Sequence, residues 1–427
     1  MLAPRTRLDA RRGAAILPVG SAPLRSIAPR PPLMPTRRRR PPTALSSLRP
    51  RRAPSPAALV LAALAACAPS AVARDGTGAA APPAASAVPA VDVRLDLAEA
   101  EAAAAIIEAQ RAGRPAEDAM WERLTASAGY RRLAERERSF GRPFTDSAFR
   151  AFLASDTLLA RGAALAAAVT RWRTLDVRAA AARAAAYLPP GAPLRATLYP
   201  VIKPRDNSFV YDLARDPAIF VYVDPAPRPE QLANTLAHEL HHVGYNAACR
   251  PAEAAQDSAL AALRARGGGD SVRAARLAGA LTWSGAFGEG IAMLAAAGGP
   301  GVHPHAASAD SDRVRWDRDV ASAPADVARL SDFFTRVLDG GFADDAAVRA
   351  AAAEFYGVQG PWYTVGWLMA STVERAHGRP RLVELLCDPP ALMAAYDEVA
   401  ARGSGAAPGA PLPRWPGALL ARLRERR

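Results

Sequence analysis

Glu230-Gln-Leu-Ala-Asn-Thr-Leu-Ala-His238-Glu239-Leu240-His241-His242-Val243-Gly244-Tyr245 is the stretch on which the reading of this chain turns. It follows Pro229, and a proline near the first helical position with an acid in the first turn marks a helix start. At about 100° per residue, His238 and His242 stand about 40° and one turn apart, so both imidazoles reach a single ion. Glu239 is rotated by about 100° from His238, beside that ion rather than on it, suitably placed to take a proton from water. Leu232, Leu236, Leu240 and Val243 form an apolar stripe opposite the ligand face. His238-Glu239-x-x-His242 is thus the H-E-x-x-H arrangement, in which two histidines of one helix face bind Zn²⁺ and the glutamate is the base. His241 points away from Glu239 and is left outside the ligand set.

Upstream, Ala196–Tyr199, Ser208–Tyr211 and Ala218–Val223 are rich in β-branched and aromatic residues and bounded by Pro, Asp and Asn, the pattern of short strands. From Val91 to Tyr187 the pattern is helical, broken at Gly113, Gly129, Gly141 and Pro143 and closed by Pro189-Pro190-Gly191. Beyond Arg250 helices resume, interrupted at Gly267–Gly269 and by the Gly/Pro/His loop 298–310. Hydrophobic residues make up 50% of the 427, but aromatics only 6%. Alanine is about a quarter of the chain, so the core favours packed helices over a β-sandwich. The expected fold class is α+β and predominantly helical. Its small sheet packs on the His238–His242 helix, and Ala218–Val223, directly before that helix, is expected as the edge strand.

Two further segments carry chemistry. Leu281-Thr-Trp283-Ser-Gly-Ala-Phe-Gly288-Glu289-Gly290-Ile291-Ala292 places one acid in an apolar, Gly-rich run, where it needs a partner. The competing acids, Glu253 and Asp257, follow Pro251 in a segment that reads as a solvated helix start. Near the C-terminus, Pro361-Trp362-Tyr363-Thr364-Val365-Gly366-Trp367 is followed by Glu374, Gly378 and Leu382. The three motifs together, from residue 196 to about 400, resemble the gluzincin-like zinc-dependent peptidase domains of bacterial envelope proteins. Other zincin spacings fail, because Ala248, Ala261 and Ala262 stand where a third ligand would fall. The resemblance implies a zincin-like fold and a zinc peptidase acting on a peptide or protein substrate. It implies one Zn²⁺ held by His238, His242 and Glu289, with Glu239 as general base and Tyr363 as oxyanion donor. It departs from better-known families in the long gap between His242 and Glu289. Two rival readings stand beside it: a non-catalytic envelope lipoprotein that keeps zinc for structure, and a zinc hydrolase acting on a non-peptide amide. The intact Glu239 speaks against the first.

The leader has its own logic. Residues 1–52 hold 13 Arg against one Asp, which is +12 of the chain's net +13, so the basic charge belongs there and the rest is nearly neutral. No basic groove with interleaved aromatics follows, and nucleic-acid binding is not expected. After the arginines comes the apolar run Ala57–Ala66, too short to span a bilayer and suited to a signal-peptide core. It ends in Leu64-Ala65-Ala66-Cys67, which resembles the lipobox of bacterial lipoproteins. The resemblance implies acylation of Cys67 and anchoring to the cell envelope. Ala68, rather than Asp, then favours the outer membrane. Met34 would give a more usual signal-peptide start than Met1. The expected organisation is a leader and signal over 1–67, a flexible Ala/Pro tether over 68–90, a helical region over 91–190 and the metallopeptidase region over 191–427. Cys249 and Cys387 remain, and an oxidising envelope would let them pair; the sequence leaves this open.

Overall fold

A computed structural model of the chain describes residues 91–403 and 411–425, so the leader, Cys67 and the tether lie outside the described residues. Helices dominate around one four-stranded sheet. Its strands are β1 (Val91–Leu95), β2 (Leu194–Val201), β3 (Phe209–Tyr211) and β4 (Ala218–Tyr222), in the spatial order β1-β2-β4-β3. The first two and β4 run parallel, and β3 is antiparallel to β4.

Two expectations are corrected. Val91–Leu95 is a strand and not the start of the helical region. Val-Asp-Val-Arg-Leu alternates with the period of a strand, a short signal beside the alanine-rich helix that follows at once. Ala218–Val223 is not the edge, because β4 lies between β2 and β3. Ala218, Ile219, Phe220 and Val221 are each at most 2% exposed, as a strand with neighbours on both sides and cover on both faces requires. Pairing of β1 with β2 brings the stretches on either side of Pro190 into one sheet, and one apolar core runs from Ala100 to Leu423.

Each face of the sheet has its own cover. On one face Tyr199, Phe220 and Phe209 stack across three strands, with ring centroids 5.3 and 5.1 Å apart, and Leu133 closes over them. Leu198, Ile219 and Val221 point the other way, into the main core that contains the motif helix. That helix, Pro229–Ala265, begins with Pro229 at its first position and the side-chain Oε1 of Gln231 accepting the Arg228 N–H at 2.9 Å. It runs through Pro251 without the break that its ring and missing N–H favour. Gly244 lets the motif helix close on Leu188, whose side chain a Cβ there would overlap. Near the middle of the helix Cys249 is paired with Cys387, tying it to a segment 138 residues later. No helix among the described residues is long and apolar enough to cross a membrane.

Candidate metal centre

Three helices meet where the sequence places the chemistry. The motif helix presents His238 and His242 with their Nε2 atoms 3.0 Å apart. The helix Gly288–Ala297, entered through a 3₁₀ turn over Gly285–Phe287, carries Glu289 in its first turn. One carboxylate oxygen of Glu289, Oε2, stands 3.2 Å from each of those two nitrogens. The donor atoms of a tetrahedral zinc with bonds of 2.0–2.1 Å lie about 3.3 Å apart, so this spacing fits one ion between them. His238 is 6% exposed, His242 1% and Glu289 not at all. Among the described residues this is the one cluster of three His, Cys, Asp or Glu donors within reach of a common ion.

The electrostatics follow the geometry. Burial alone would raise the Glu289 carboxyl, but His242 and His238 outweigh it and hold it down at about 2. Glu239, next on the helix, is fully buried and its two carboxylate oxygens have no hydrogen-bond partner among the described residues. Burial pushes its carboxyl up to about 8, with His238 opposing and Glu289 adding to the rise. A buried carboxylate without donors is costly unless a ligand, water or proton meets it, so Glu239 belongs to an incomplete site.

Tyr363 enters from the third helix, Pro361–His377. Its ring lies nearly parallel to that of His238, with centroids 6.3 Å apart and planes at 14°. Its hydroxyl donates to Glu289, and burial together with the Glu289 charge raises the phenol well above its ordinary value. Glycines set the approach of the two helices that carry Glu289 and Tyr363. A Cβ on Gly290 would overlap the backbone N of Trp367 and C of Gly366, and one on Gly366 would come within 2.5 Å of the Phe287 carbonyl oxygen. Only hydrogen at both positions lets backbone rest on backbone.

Other candidates fall outside. Glu253 and Asp257 lie 11 and 15 residues past His242 on the same helix, about 16 and 22 Å along its axis at 1.5 Å per residue. His241 is fully buried, and burial with the neighbouring His242 and His238 lowers it to about 3. His303 pairs with Asp317 at 3.0 Å, and His305 with the Ser308 hydroxyl at 3.0 Å. Sequence reasoning missed Tyr356, which is 7% exposed and whose phenol is raised by burial and by the charge of Glu289. It sits in the turn before the third helix, where Gln359 holds φ at +59° and Gly357 at +47°. Nothing in the residues around Tyr356 marks it; the turn that brings it inward is visible only in three dimensions.

A family model described as "putative zinc dependent peptidase" (DUF5700) matches residues 121–404, and the chain belongs to that family. No curated protein and no solved structure matches the chain.

Proposed function

We propose that this member of the family is a zinc-dependent peptidase whose ligands are His238, His242 and Glu289. The observation that carries the reading is the convergence of two Nε2 atoms and one carboxylate oxygen, 3.0–3.2 Å from one another, beside a buried glutamate with no partner. Three protein ligands leave a fourth position open, the pattern of catalytic rather than structural zinc. Bound zinc supplies an acidified water and a polarised carbonyl. The remaining steps belong to the chain. Glu239 takes the proton of the attacking water and returns it to the leaving amine. Tyr363 turns its hydroxyl from Glu289 to the oxyanion that develops on the scissile carbonyl. Glu239 also separates this reading from a structural zinc, because a structural site needs no base beside its histidines.

The lipobox-like Leu64–Cys67 supports anchoring at the outer membrane of a bacterial envelope, facing the periplasm or the surface, through acylated Cys67, and the Cys249–Cys387 pair suits an oxidising compartment. Cys67→Ser should release the protein from membrane fractions; an unchanged fractionation refutes the anchor. The deciding experiment for the enzyme is zinc analysis of the purified chain joined to a peptide-library cleavage assay. About one zinc per chain with cleavage that Glu239→Gln abolishes supports the proposal. Tightly held zinc without cleavage of any peptide returns the site to the structural or non-peptide reading.

A further inference from the structure

The third helix does more than carry Tyr363. One turn on, Trp367 joins Trp316, Val302 and Val320 in lining a cavity of about 230 Å³, with Arg375 at its edge. That volume is below the usual range for drug-sized ligands and matches a single large side chain. Its walls set Val302, Val320 and the indoles beside His303, Asp317 and Arg375, and the two indoles meet edge to face with centroids 5.8 Å apart. Arg375 brings a cation to the same lining. The Arg375 guanidinium lies 6.0 Å from the Trp367 ring, donates to the Pro300 carbonyl and pairs with no carboxylate among the described residues. Asp317, the acid at the rim, is taken up by His303 at 3.0 Å.

Among the described residues five large apolar side chains are exposed, and one of them, Val302, lines this cavity. Val314 precedes Arg315, which donates at 2.9 Å to the side chain of Gln359, the residue after Val358. Gln359 in turn donates to the Met293 sulfur, one turn past Glu289. These two hydrogen bonds link the helix that carries Trp316 to the turn that carries Tyr356 and to the helix that carries Glu289.

We infer that this cavity is a substrate subsite that takes a large apolar side chain lying next to a carboxylate, the side chain against Trp367, Val302 and Val320 and the carboxylate on Arg375. The inference rests on the peptidase reading for its purpose, but its test does not. The carboxylate has two possible sources, the free C-terminus of a peptide and a neighbouring acidic side chain.

Binding is measured on the full-length Glu239→Gln chain by fluorescence anisotropy, with a labelled Gly/Ser octapeptide ending in Phe with a free carboxylate. A second probe ends in Glu-Phe-amide, and a third replaces Phe by Ser. Val302→Asp and Arg375→Gln, both surface changes, should each weaken the best probe roughly tenfold, the scale of one charge-assisted contact, with zinc content and Tm retained. Preference for the free acid assigns the C-terminus, and preference for the Glu-Phe-amide assigns the side chain. Equal binding of the Ser probe, binding of no probe, or binding that ignores both substitutions overturns the subsite. The peptidase reading fails separately, if Glu239→Gln cleaves the probe as fast as the parent chain.

Discussion

Two regions of this molecule each bury a glutamate almost completely, and they treat it in opposite ways. Glu99, on the first helix (Ala98–Arg111), is 1% exposed, accepts the Ile202 N–H at 3.0 Å and has the charge of Lys203 nearby. Burial still wins, and its carboxyl rises to about 8. Glu289 is equally enclosed, but two imidazole nitrogens converge on one of its oxygens and its carboxyl falls to about 2. Burial in an apolar segment is therefore no sign of a metal ligand, since by that test Glu99 qualifies as well. Convergence of lone pairs on one point is the distinguishing feature. The protein meets the cost of a buried acid by keeping the proton in one region and by gathering donors in the other.

The contrast is most easily broken by removing each acid in turn. Glu289→Ala should strip most of the zinc and all cleavage, whereas Glu99→Gln should keep both; metal content by mass spectrometry decides, and equal zinc in the two variants ends the distinction. Glu239→Gln should lower turnover by roughly 10²–10⁴-fold while keeping zinc, because the amide retains the shape and cannot accept the proton. Loss of the metal in that variant would instead make Glu239 a ligand. Tyr363→Phe should cost roughly ten- to a thousandfold in turnover, as for loss of one oxyanion donor, with zinc content unchanged. An unaltered rate assigns Tyr363 to packing alone.

The smallest effect concerns Glu99 and pH. A carboxyl held near 8 in the folded chain and near 4.5 when unfolded keeps its proton only in the folded state between those values. Its contribution to stability is full below about 4.5 and is lost as pH rises through about 8. Replacing Glu99 by Gln removes that dependence, so the Tm difference between variant and parent should grow in favour of the variant from pH 5 to pH 8. A difference that stays constant means that Glu99 is ionised in the folded protein.

The candidate metal site is legible in the sequence because its parts are local. His238, Glu239 and His242 lie within five residues on one helix, and the helical repeat alone brings their side chains together. Glu289 and Tyr363 came from short segments whose glycines, Gly290 and Gly366, turn out to set the helix contact. What escaped is what depends on pairing at a distance. β1 finds its partner about a hundred residues later, and the central place of β4 is set by β3, a strand of three residues. The Cys249–Cys387 pair was left open for the same reason, since spacing along the chain does not report separation in space. Tyr356 needed the turn around Gln359 to be seen before it could be placed.

With Gly290 seated on the backbone of Gly366 and Trp367, no side chain lies at that contact to yield when the protein breathes. The helices bearing Glu289 and Tyr363 thus meet backbone to backbone, with no side-chain rotamer between them to absorb a change in spacing. A larger residue at either glycine would have to part these helices, and with them the carboxylate and the phenol.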